Sequence, residues 1–128
     1  MQSTNEPGAE LAALSAVTLD YLDGMVNANE QQLRRAFHPR CLVVGHYHGN
    51  LDCETVDQFF AAVQNGATAA VAKSHNGRIT MIDRAGDLAF VKLECDFLGD
   101  RFTDYLTMIS HEDRWSIVHK SYYVHESR

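Results

Sequence analysis

The C-terminal stretch of the chain carries an acid–base pair, Asp104 and His119, within an otherwise apolar pattern. A carboxylate and an imidazole that line an apolar cavity can share proton transfer, because histidine titrates near neutrality. Such a pair suits isomerisation, aldol cyclisation or dehydration of a small carbonyl compound. Ser121 and, on an earlier helix, Tyr21 add hydroxyl groups that can donate hydrogen bonds to the same compound.

A tight hairpin would bring these residues together. Residues 102–124 read FTDYLTMISHEDRWSIVHKSYYV, two alternating apolar runs joined at Glu112-Asp113, a dipeptide typical of a two-residue turn. Closing the hairpin there pairs Asp104 with Ser121 and puts His119 on the same face. Polar side chains on a buried face must find partners, so this cluster predicts a pocket. The face consists of Phe102, Asp104, Leu106, Met108, Trp115, Ile117, His119, Ser121 and Tyr123.

The preceding stretch, residues 88–98, predicts another strand because apolar and charged residues alternate along it. A turn at Gly99-Asp100 pairs Cys95 with Asp104, and the apolar faces of three strands then agree. Cys95 is expected to be an inert buried thiol, since no cation is predicted beside it.

The opposite face of the hairpin is too apolar to be left in water. An exposed apolar patch on a sheet predicts a symmetric homodimer, formed sheet against sheet. The residues expected in this interface are Tyr105, Ile109, Val118, Tyr122 and Val124.

Helical periodicity dominates the first half of the chain. It predicts helices over residues 9–27, 30–37 and 54–65. Tyr21 lies on the buried stripe of the first helix, either as a pocket residue or as a core tyrosine bonded to a backbone carbonyl.

A strand is predicted between the second and third helices, over residues 41–48, with a bulge at Gly45. His46 and His48 then share one face. Two histidines at this spacing can chelate a metal, but a site needs a third ligand, such as His38 at the exit of the second helix. A hydrogen-bonded or exposed pair is the favoured interpretation, and no metal is expected.

The middle of the chain has weaker signals. Residues 67–72 either extend the third helix or form a connection; residues 74–83 alternate weakly, and residues 84–87 resemble a turn. Because helices come first and strands last, the sequence predicts an α+β fold with helices packed on one face of a strongly bent antiparallel sheet.

Composition excludes several classes of protein. The 128 residues fit a single domain over residues 9–128, preceded by a disordered tail over residues 1–8. A formal charge of -6 without a basic cluster argues against nucleic-acid binding. Three cysteines without CxxC spacing indicate free thiols, and no apolar run is long enough for a membrane span or a signal sequence. We therefore expect a cytoplasmic protein that binds no membrane and needs no cofactor.

Four segments in combination resemble a known family. They are YLDGMVNANEQQLRRAFHP, CLVVGHYHGNL, ETVDQFFAAV and FTDYLTMISHEDRWSIVHKSYY. Together they are similar to domains of the nuclear transport factor 2-like (NTF2-like) superfamily, most closely to small bacterial members labelled SnoaL-like or putative lumazine-binding. The resemblance covers the chain from about Leu11 onward.

The resemblance implies a cone-shaped (cystatin-like) fold with a pocket between the first helix and the sheet, and often a homodimer. The superfamily includes ketosteroid isomerase, polyketide cyclases, dehydratases and members without known activity, so the fold does not fix the function. Tyr21 lies on the helix that carries the oxyanion tyrosine in the isomerase, and Asp104 lies on a late inward-facing strand. No aspartate lies on the inward face of residues 41–48, where the base of that enzyme would fall.

Three functions follow as hypotheses. The first is binding of an unknown small apolar or carbonyl-bearing molecule; the second is acid–base catalysis by Asp104, His119 and Tyr21; the third is a dimeric structural or interaction module without a ligand. In the third case Asp104 and His119 are a buried pair that fixes the sheet register. Further pocket residues are expected to be Trp115, Ser121, Phe102, Tyr123, His38, His46, Cys95 and Phe59.

Overall fold

A computed structural model describes residues 7–67 and 74–125, which form three helices and six strands. The elements are α1 (Pro7–Val26), α2 (Glu30–Ala36), β1 (Phe37–Tyr47), β2 (Asn50–Thr55), α3 (Val56–Ala67), β3 (Arg78–Ala85), β4 (Leu88–Phe97), β5 (Asp100–His111) and β6 (Arg114–Val124). The predicted α+β class is confirmed. Helix α1 takes in the last two residues of the predicted tail, and most of the undecided stretch 67–72 lies outside the described residues.

The strands form one six-stranded sheet in the order β2-β1-β6-β5-β4-β3. Strands β1 and β6 run parallel, and all the other neighbours are antiparallel. The sheet is therefore mixed, and the prediction of an antiparallel sheet was wrong at this one pair. The parallel pair arises because a long connection through β2, α3 and the three following strands returns β6 to the side of β1.

Side-chain caps fix the starts of the two shorter helices. At α2, Asn29 Oδ1 accepts a hydrogen bond of 3.1 Å from the backbone N–H of Gln32. At α3, Thr55 and Gln58 form a reciprocal capping box: Gln58 N–H donates to Thr55 Oγ1 (3.2 Å) and Thr55 N–H donates to Gln58 Oε1 (2.9 Å). The box starts α3 at Val56, two residues later than predicted, and leaves Glu54 in a strand.

Strand β2 was not predicted. It pairs with β1 through a turn at His48 and Gly49, both of which have positive φ (49° and 89°). The register between β1 and β2 is continuous from Leu42 to Tyr47, so the bulge predicted at Gly45 is absent and the irregularity of β1 lies before Leu42. His48 lies in the turn and not in the strand. The prediction that His46 and His48 share one strand face was therefore wrong.

The hairpin of β4 and β5 turns at Leu98-Gly99, one residue earlier than predicted. The register consequently differs from the prediction by two residues, and Cys95 pairs with Phe102 while Leu93 pairs with Asp104. A shift of two residues leaves every side chain on its predicted face. The apolar inner face of these two strands is therefore as the sequence predicted.

The hairpin of β5 and β6 turns at Glu112-Asp113, as predicted. Both turn residues have positive φ, 53° and 62°, as in the two-residue turns that match the twist of paired strands. His111 pairs with Arg114 across the turn, so the register next to the turn is the predicted one.

A β-bulge then interrupts the register of this hairpin. Met108 pairs with Ile117, but Thr107 pairs with His119, so Val118 is an extra residue in β6. An extra residue in one strand moves every following side chain of that strand to the other face.

The bulge reverses the faces predicted for the second half of β6. Lys120 pairs with Leu106 and Tyr122 pairs with Asp104, all on the inner face. His119 lies on the outer face, so the predicted placement of His119 beside Asp104 was wrong.

The helices cover the inner face of the sheet and enclose a continuous apolar core. The largest fully buried side chains come from both layers, and Tyr21 of α1 is the largest of them. Trp115 is buried, as predicted, and its Nε1–H donates to Glu10 Oε2 of α1 (3.1 Å). The next largest fully buried side chains are Phe60, Leu14, Leu33, Leu93, Leu106, Met108, Ile117, Val43, Val63, Val91 and Thr18.

Candidate functional site

Polar side chains from three strands, β2, β6 and β5, lie on the inner face of the sheet. The strand register places them in two adjacent rows that cross the sheet. Neighbouring strands lie about 4.8 Å apart, so residues two strands apart in a row are separated by about 10 Å at their Cα atoms. The first row runs Glu54, Val43, Lys120 and Leu106, and the second runs Asp52, Gly45, Tyr122 and Asp104.

Asp104 is the centre of a buried hydrogen-bond cluster. The hydroxyl of Tyr21 donates to Asp104 Oδ2, and the thiol of Cys95 donates to the same oxygen at 3.6 Å. Asp104 is 0% exposed and its other oxygen, Oδ1, has no hydrogen-bond partner among the described residues. A buried carboxylate oxygen without a partner is costly, so it marks a place where a proton or a donor group would be accepted.

The surroundings of Asp104 hold its two donors in their protonated forms. Burial, and then the charge of Asp104, raises the pKa of Tyr21 well above its ordinary value. The same two causes raise the pKa of Cys95. Both side chains therefore keep the protons that they donate to Asp104, and Cys95 is a buried thiol, as predicted.

Lys120 lies beside this cluster, enclosed by aromatic rings. Its side chain is 3% exposed, and its Nζ lies 4.4 Å from the ring centroid of Phe59, 4.9 Å from that of Tyr21 and 5.3 Å from that of Tyr122. Aromatic faces attract a cation at these distances. Within residues 7–67 and 74–125, Lys120 makes no ion pair with a carboxylate.

A cavity of about 140 Å³ opens next to Lys120. Its polar lining consists of Lys120, Tyr122, Tyr47, Asp52 and Glu54. The remaining lining is apolar and comes from α1, α3 and the β4–β5 hairpin: Met25, Phe59, Ala62, Val63, Phe97, Leu98 and Phe102. Apolar walls with a few polar groups are the usual composition of a small-molecule site.

Two acidic residues of β2, Asp52 and Glu54, affect the pKa values of side chains on the polar side of the cavity. Burial, and then the charge of Asp52, raises the pKa of Glu54, while the charge of Lys120 opposes this shift. Burial, and then the charges of Asp52 and Glu54, raises the pKa of Tyr122. Tyr122 therefore remains a hydrogen-bond donor, and Glu54 retains its proton to higher pH than an exposed glutamate.

Gly45 gives the Tyr122 ring its position. A Cβ atom at residue 45 would lie 2.8 Å from Cε2, Cζ and the backbone oxygen of Tyr122. The ring therefore lies directly over the glycine of the neighbouring strand, from where it reaches towards Asp52. A side chain at this position would displace the tyrosine from the cavity wall.

The predicted catalytic residues are only partly brought together. Tyr21 and Asp104 are in direct contact, whereas His119 lies on the outer face, across from Thr107 and next to Leu42. The register change at the bulge is the reason. The cavity residue Lys120, which the sequence pattern assigned to the outer face, occupies the inner position that was predicted for His119.

The predicted pocket residues are also only partly brought together. Phe59 and Phe102 line the cavity. Cys95 does not line it, but its thiol contacts Asp104. Trp115 packs at the start of α1, and His38 accepts a hydrogen bond from the Arg40 backbone N–H (3.1 Å) at the beginning of β1. Neither residue borders this cavity.

The remaining predicted pocket residues lie outside the inner cavity. Ser121 and Tyr123 follow the bulge and face outward, and Tyr123 is 61% exposed. His46 borders a separate cleft of about 430 Å³ at the sheet surface, together with His48 and Asp100. His48 Nε2 lies 3.2 Å from Asp100 Oδ2.

The polar side of the cavity was not predicted from the sequence. The pattern placed Lys120 and Tyr122 on the outer face and Glu54 at the start of the third helix, and it gave no pocket role to Asp52 or Tyr47. A signal for Asp52 and Glu54 was present: the alternation of Asn50–Thr55 after a turn-forming Gly49 fits a strand, and the Thr55/Gln58 capping box ends it.

Residues 7–67 and 74–125 contain no group of three or more His, Cys, Asp or Glu side chains arranged to hold a metal ion. None of the helices in those ranges has the length and apolar content that a membrane span requires.

Comparison with known families identifies the domain. The sequence model of the family described as "Putative lumazine-binding" matches residues 9–123. The chain belongs to this family. The expected membership of the NTF2-like superfamily is thereby confirmed, and the family name is a description that carries no evidence for a lumazine ligand in this chain.

Solved structures agree with this membership. An NTF2-like protein of unknown function from Silicibacter pomeroyi is 33% identical, with a TM-score of 0.86, over 92% of this chain and 98% of that one. An NTF2-like protein of unknown function from Shewanella baltica is 25% identical, with a TM-score of 0.83, over 98% and 100% of the two chains. A curated relative, aldolase FrzH from Cladobotryum sp, is 23% identical over 117 residues, which cover 90% of this chain and 91% of the relative.

Proposed function

We propose that this protein binds a small molecule with an apolar body and a carbonyl or carboxylate oxygen, in the cavity beside Lys120. The observation that carries the proposal is the Lys120 ammonium, which is 3% exposed, lines the cavity and lacks an ion-pair partner within the described residues. An unpaired buried charge is costly, and an oxygen acceptor from a ligand would compensate it. The apolar walls would then contribute by burying the body of the ligand.

Benzoate is a suitable probe, because it combines one ring with one carboxylate and is small enough for the cavity. Titration of benzoate into isotopically labelled protein, followed by NMR, should shift signals of residues around Lys120, Phe59 and Phe102. Lys120→Met should weaken binding about ten- to hundredfold, since a hydrogen bond to a charged group contributes about 1.5–3 kcal/mol.

Two control variants make this experiment specific. Lys92→Met removes a lysine of the outer face whose Nζ also lies over a ring, that of Tyr105 at 5.5 Å, and should leave benzoate binding unchanged. His119→Ala should also leave it unchanged. If benzoate causes no shifts around the cavity, or if Lys120→Met binds like wild type, the proposal fails and a module without a ligand is favoured.

A second function, acid–base catalysis at Asp104 and Tyr21, is supported by Asp104 Oδ1, which has no partner among the described residues, and by the aldolase among the relatives. It requires a substrate that enters past the cavity wall, because neither residue lines the cavity. Such a site would remove a proton from the carbon next to a carbonyl group. Exchange of these protons of cyclohexanone with deuterated water, followed by NMR, should be faster with wild type than with Asp104→Asn. Equal rates in the two proteins would exclude Asp104 as the base.

We also propose a homodimer through the outer face of the sheet. Eight large apolar side chains are exposed within the described residues, and six of them lie on this face: Leu42, Leu51, Met81, Leu88, Tyr105 and Tyr123. The interface differs from the predicted one, because Tyr122 and Val124 follow the bulge and face inward. Apolar surface of this extent on one face favours contact with a second copy.

Light scattering coupled to size-exclusion chromatography tests the dimer. Tyr105→Glu puts a charge in the middle of the outer face and should yield a monomer. Leu19→Glu is the matched control, because Leu19 is similarly exposed (52% against 43% for Tyr105) but lies on α1. A monomeric wild type, or equal dissociation by both variants, would contradict the proposal.

A further inference from the structure

We propose that Lys120 is a catalytic nucleophile that forms a Schiff base with a ketone or aldehyde bound in the cavity. The inference rests on the proposed binding function and adds a covalent reaction to it. The substrate class is a small carbonyl compound with an apolar substituent.

The position of Lys120 meets the requirements for such a residue. A nucleophilic lysine needs an amine that reaches the substrate and is not held in an ion pair. Lys120 lines the cavity, and within the described residues its amine contacts aromatic rings, with no carboxylate ion pair. Lys92, by contrast, lies on the outer face of the sheet, opposite Tyr105.

The reaction balances without any redox partner. The Lys120 ammonium first gives a proton to the Glu54 carboxylate, and the lone pair of the resulting amine attacks the carbonyl carbon. The C=O π electrons move to oxygen, which takes that proton back from Glu54. The nitrogen loses a proton to give a neutral carbinolamine. A second proton on the hydroxyl group lets it leave as water, and the nitrogen lone pair forms the C=N bond of a protonated iminium.

Glu54 is the cavity residue suited to these proton transfers. It lies in the same row as Lys120 and lines the same cavity, separated from Lys120 by Val43. As a carboxylate it can take the proton that the amine loses, and as a carboxylic acid it can protonate the leaving hydroxyl. Burial raises the pKa of Glu54, so its carboxyl group holds a proton to higher pH than an exposed glutamate does.

The aromatic rings around Lys120 stabilise the product of the reaction. The iminium carries a positive charge next to the former Nζ, where Phe59, Tyr21 and Tyr122 present their rings. Removal of a proton from the adjacent carbon would convert the iminium to a neutral enamine, the nucleophile in carbon–carbon bond formation. Hydrolysis of the final iminium then returns the free lysine and consumes the water released earlier.

Reductive trapping with phenylpyruvate tests this inference. Phenylpyruvate has a ketone, a carboxylate and an aromatic ring, and cyanoborohydride reduces an iminium to a stable secondary amine. Wild type should gain the mass of phenylpyruvate less one oxygen atom. Peptide mass spectrometry should locate the adduct on Lys120, at least about tenfold above the adduct on Lys92, since only a positioned amine is activated.

Matched variants separate covalent reaction from binding. Lys92→Met should be trapped like wild type. Lys120→Arg keeps a positive charge for the phenylpyruvate carboxylate but has no amine that can form a Schiff base, so it should bind without being trapped. Circular dichroism and thermal unfolding establish that each variant is folded.

The outcomes distinguish this inference from the proposed function. If phenylpyruvate shifts the NMR signals around Lys120 but no Lys120 adduct forms, Schiff-base formation is refuted and the binding function stands. If neither binding nor trapping occurs, both are refuted. If the adduct forms equally on Lys92 and Lys120, the labelling is nonspecific and the catalytic role of Lys120 is refuted.

Discussion

The hydroxyl of Tyr21 donates a hydrogen bond to the carboxylate of Asp104, which lies 83 positions further along the chain. This bond joins α1 to β5 across the core, and both residues are essentially inaccessible to water. Water cannot replace the donor when it is removed. The pair therefore fixes the distance between the helix layer and the sheet beside the cavity.

Loss of the Tyr21 hydroxyl should destabilise the fold. Among the described residues, Tyr21→Phe leaves Asp104 Oδ2 with only the weak thiol donor Cys95, and we expect the free energy of unfolding to fall by about 1–3 kcal/mol. Urea unfolding followed by fluorescence measures this. Tyr105→Phe removes a hydroxyl from an exposed tyrosine and should change stability by less than about 0.5 kcal/mol. Equal effects of the two substitutions would contradict the role of the Tyr21–Asp104 bond.

Alkaline pH should destabilise wild type more steeply than Tyr21→Phe. Burial, and then the charge of Asp104, raises the pKa of Tyr21 well above its ordinary value of 10.0, so the unfolded chain loses this proton before the folded chain does. The contribution of Tyr21 is complete below pH 10 and is lost as pH rises towards the folded pKa, by up to about 1.4 kcal/mol per pH unit.

Urea unfolding at about pH 9.5 and about pH 11 measures this difference. Cys41, Cys95 and Tyr122 titrate in both proteins, so their contributions cancel in the comparison of the two slopes. A Tyr21→Phe slope as steep as that of wild type would show that Tyr21 ionises equally in the folded and unfolded states.

The three cysteines should differ strongly in reactivity. Burial raises the pKa of the Cys41 thiol from its ordinary value of 9.0 to about 12, and burial followed by the charge of Asp104 raises that of Cys95. A shift of this size lowers the thiolate fraction of Cys41 about a thousandfold. Cys53 is exposed on β2 and should be the residue that brief iodoacetamide treatment modifies.

Peptide mass spectrometry of the alkylated protein reports each cysteine separately. Cys53→Ser should remove the rapid modification and leave the slow ones unchanged. Treatment in denaturant should make all three residues react, which shows that the fold protects Cys41 and Cys95. Alkylation of either buried residue in native protein at the rate of Cys53 would contradict the structure of the core.

The features that depend on periodicity were predictable from the sequence. The buried stripe of α1, including Tyr21, and the alternation of β4 and β5, including Asp104, follow from apolar spacing alone. The predicted β4–β5 register was wrong by two residues, but the predicted faces of the side chains were correct, because a shift of two residues leaves the faces unchanged. Tyr21 and Asp104 were therefore correctly expected on facing surfaces.

The polar side of the cavity was not predictable in the same way. A single extra residue, Val118, reverses the faces after it, and an apolar bulge residue looks like any other strand residue in the sequence. The alternation of His119, Lys120 and Ser121 fits either face, since all three side chains are polar. Only the pairing with β5 decides that Lys120 faces inward.

The packing of Tyr122 over Gly45 gives a direct test of this register. In Gly45→Ala the new methyl group would lie 2.8 Å from the ring and from the backbone oxygen of Tyr122, and the backbone of β6 cannot move aside without breaking its pairing with β1. We expect a loss of about 1–3 kcal/mol in the free energy of unfolding, typical of overpacking. Displacement of the Tyr122 ring should also weaken benzoate binding.

Gly8→Ala is the matched control for this substitution, because a Cβ atom at Gly8 would meet no heavy atom of the described residues within 4 Å. Gly8 lies in α1, where alanine has the higher helix propensity, so stability should stay the same or rise by up to about 1 kcal/mol. Thermal unfolding of the two variants and wild type measures both effects. If Gly45→Ala is as stable as wild type, the Tyr122 ring does not cover Gly45, and the inward register of Tyr122 and Lys120 is wrong. A strong loss in Gly45→Ala alone supports the bulge at Val118 that turns Lys120 into the cavity.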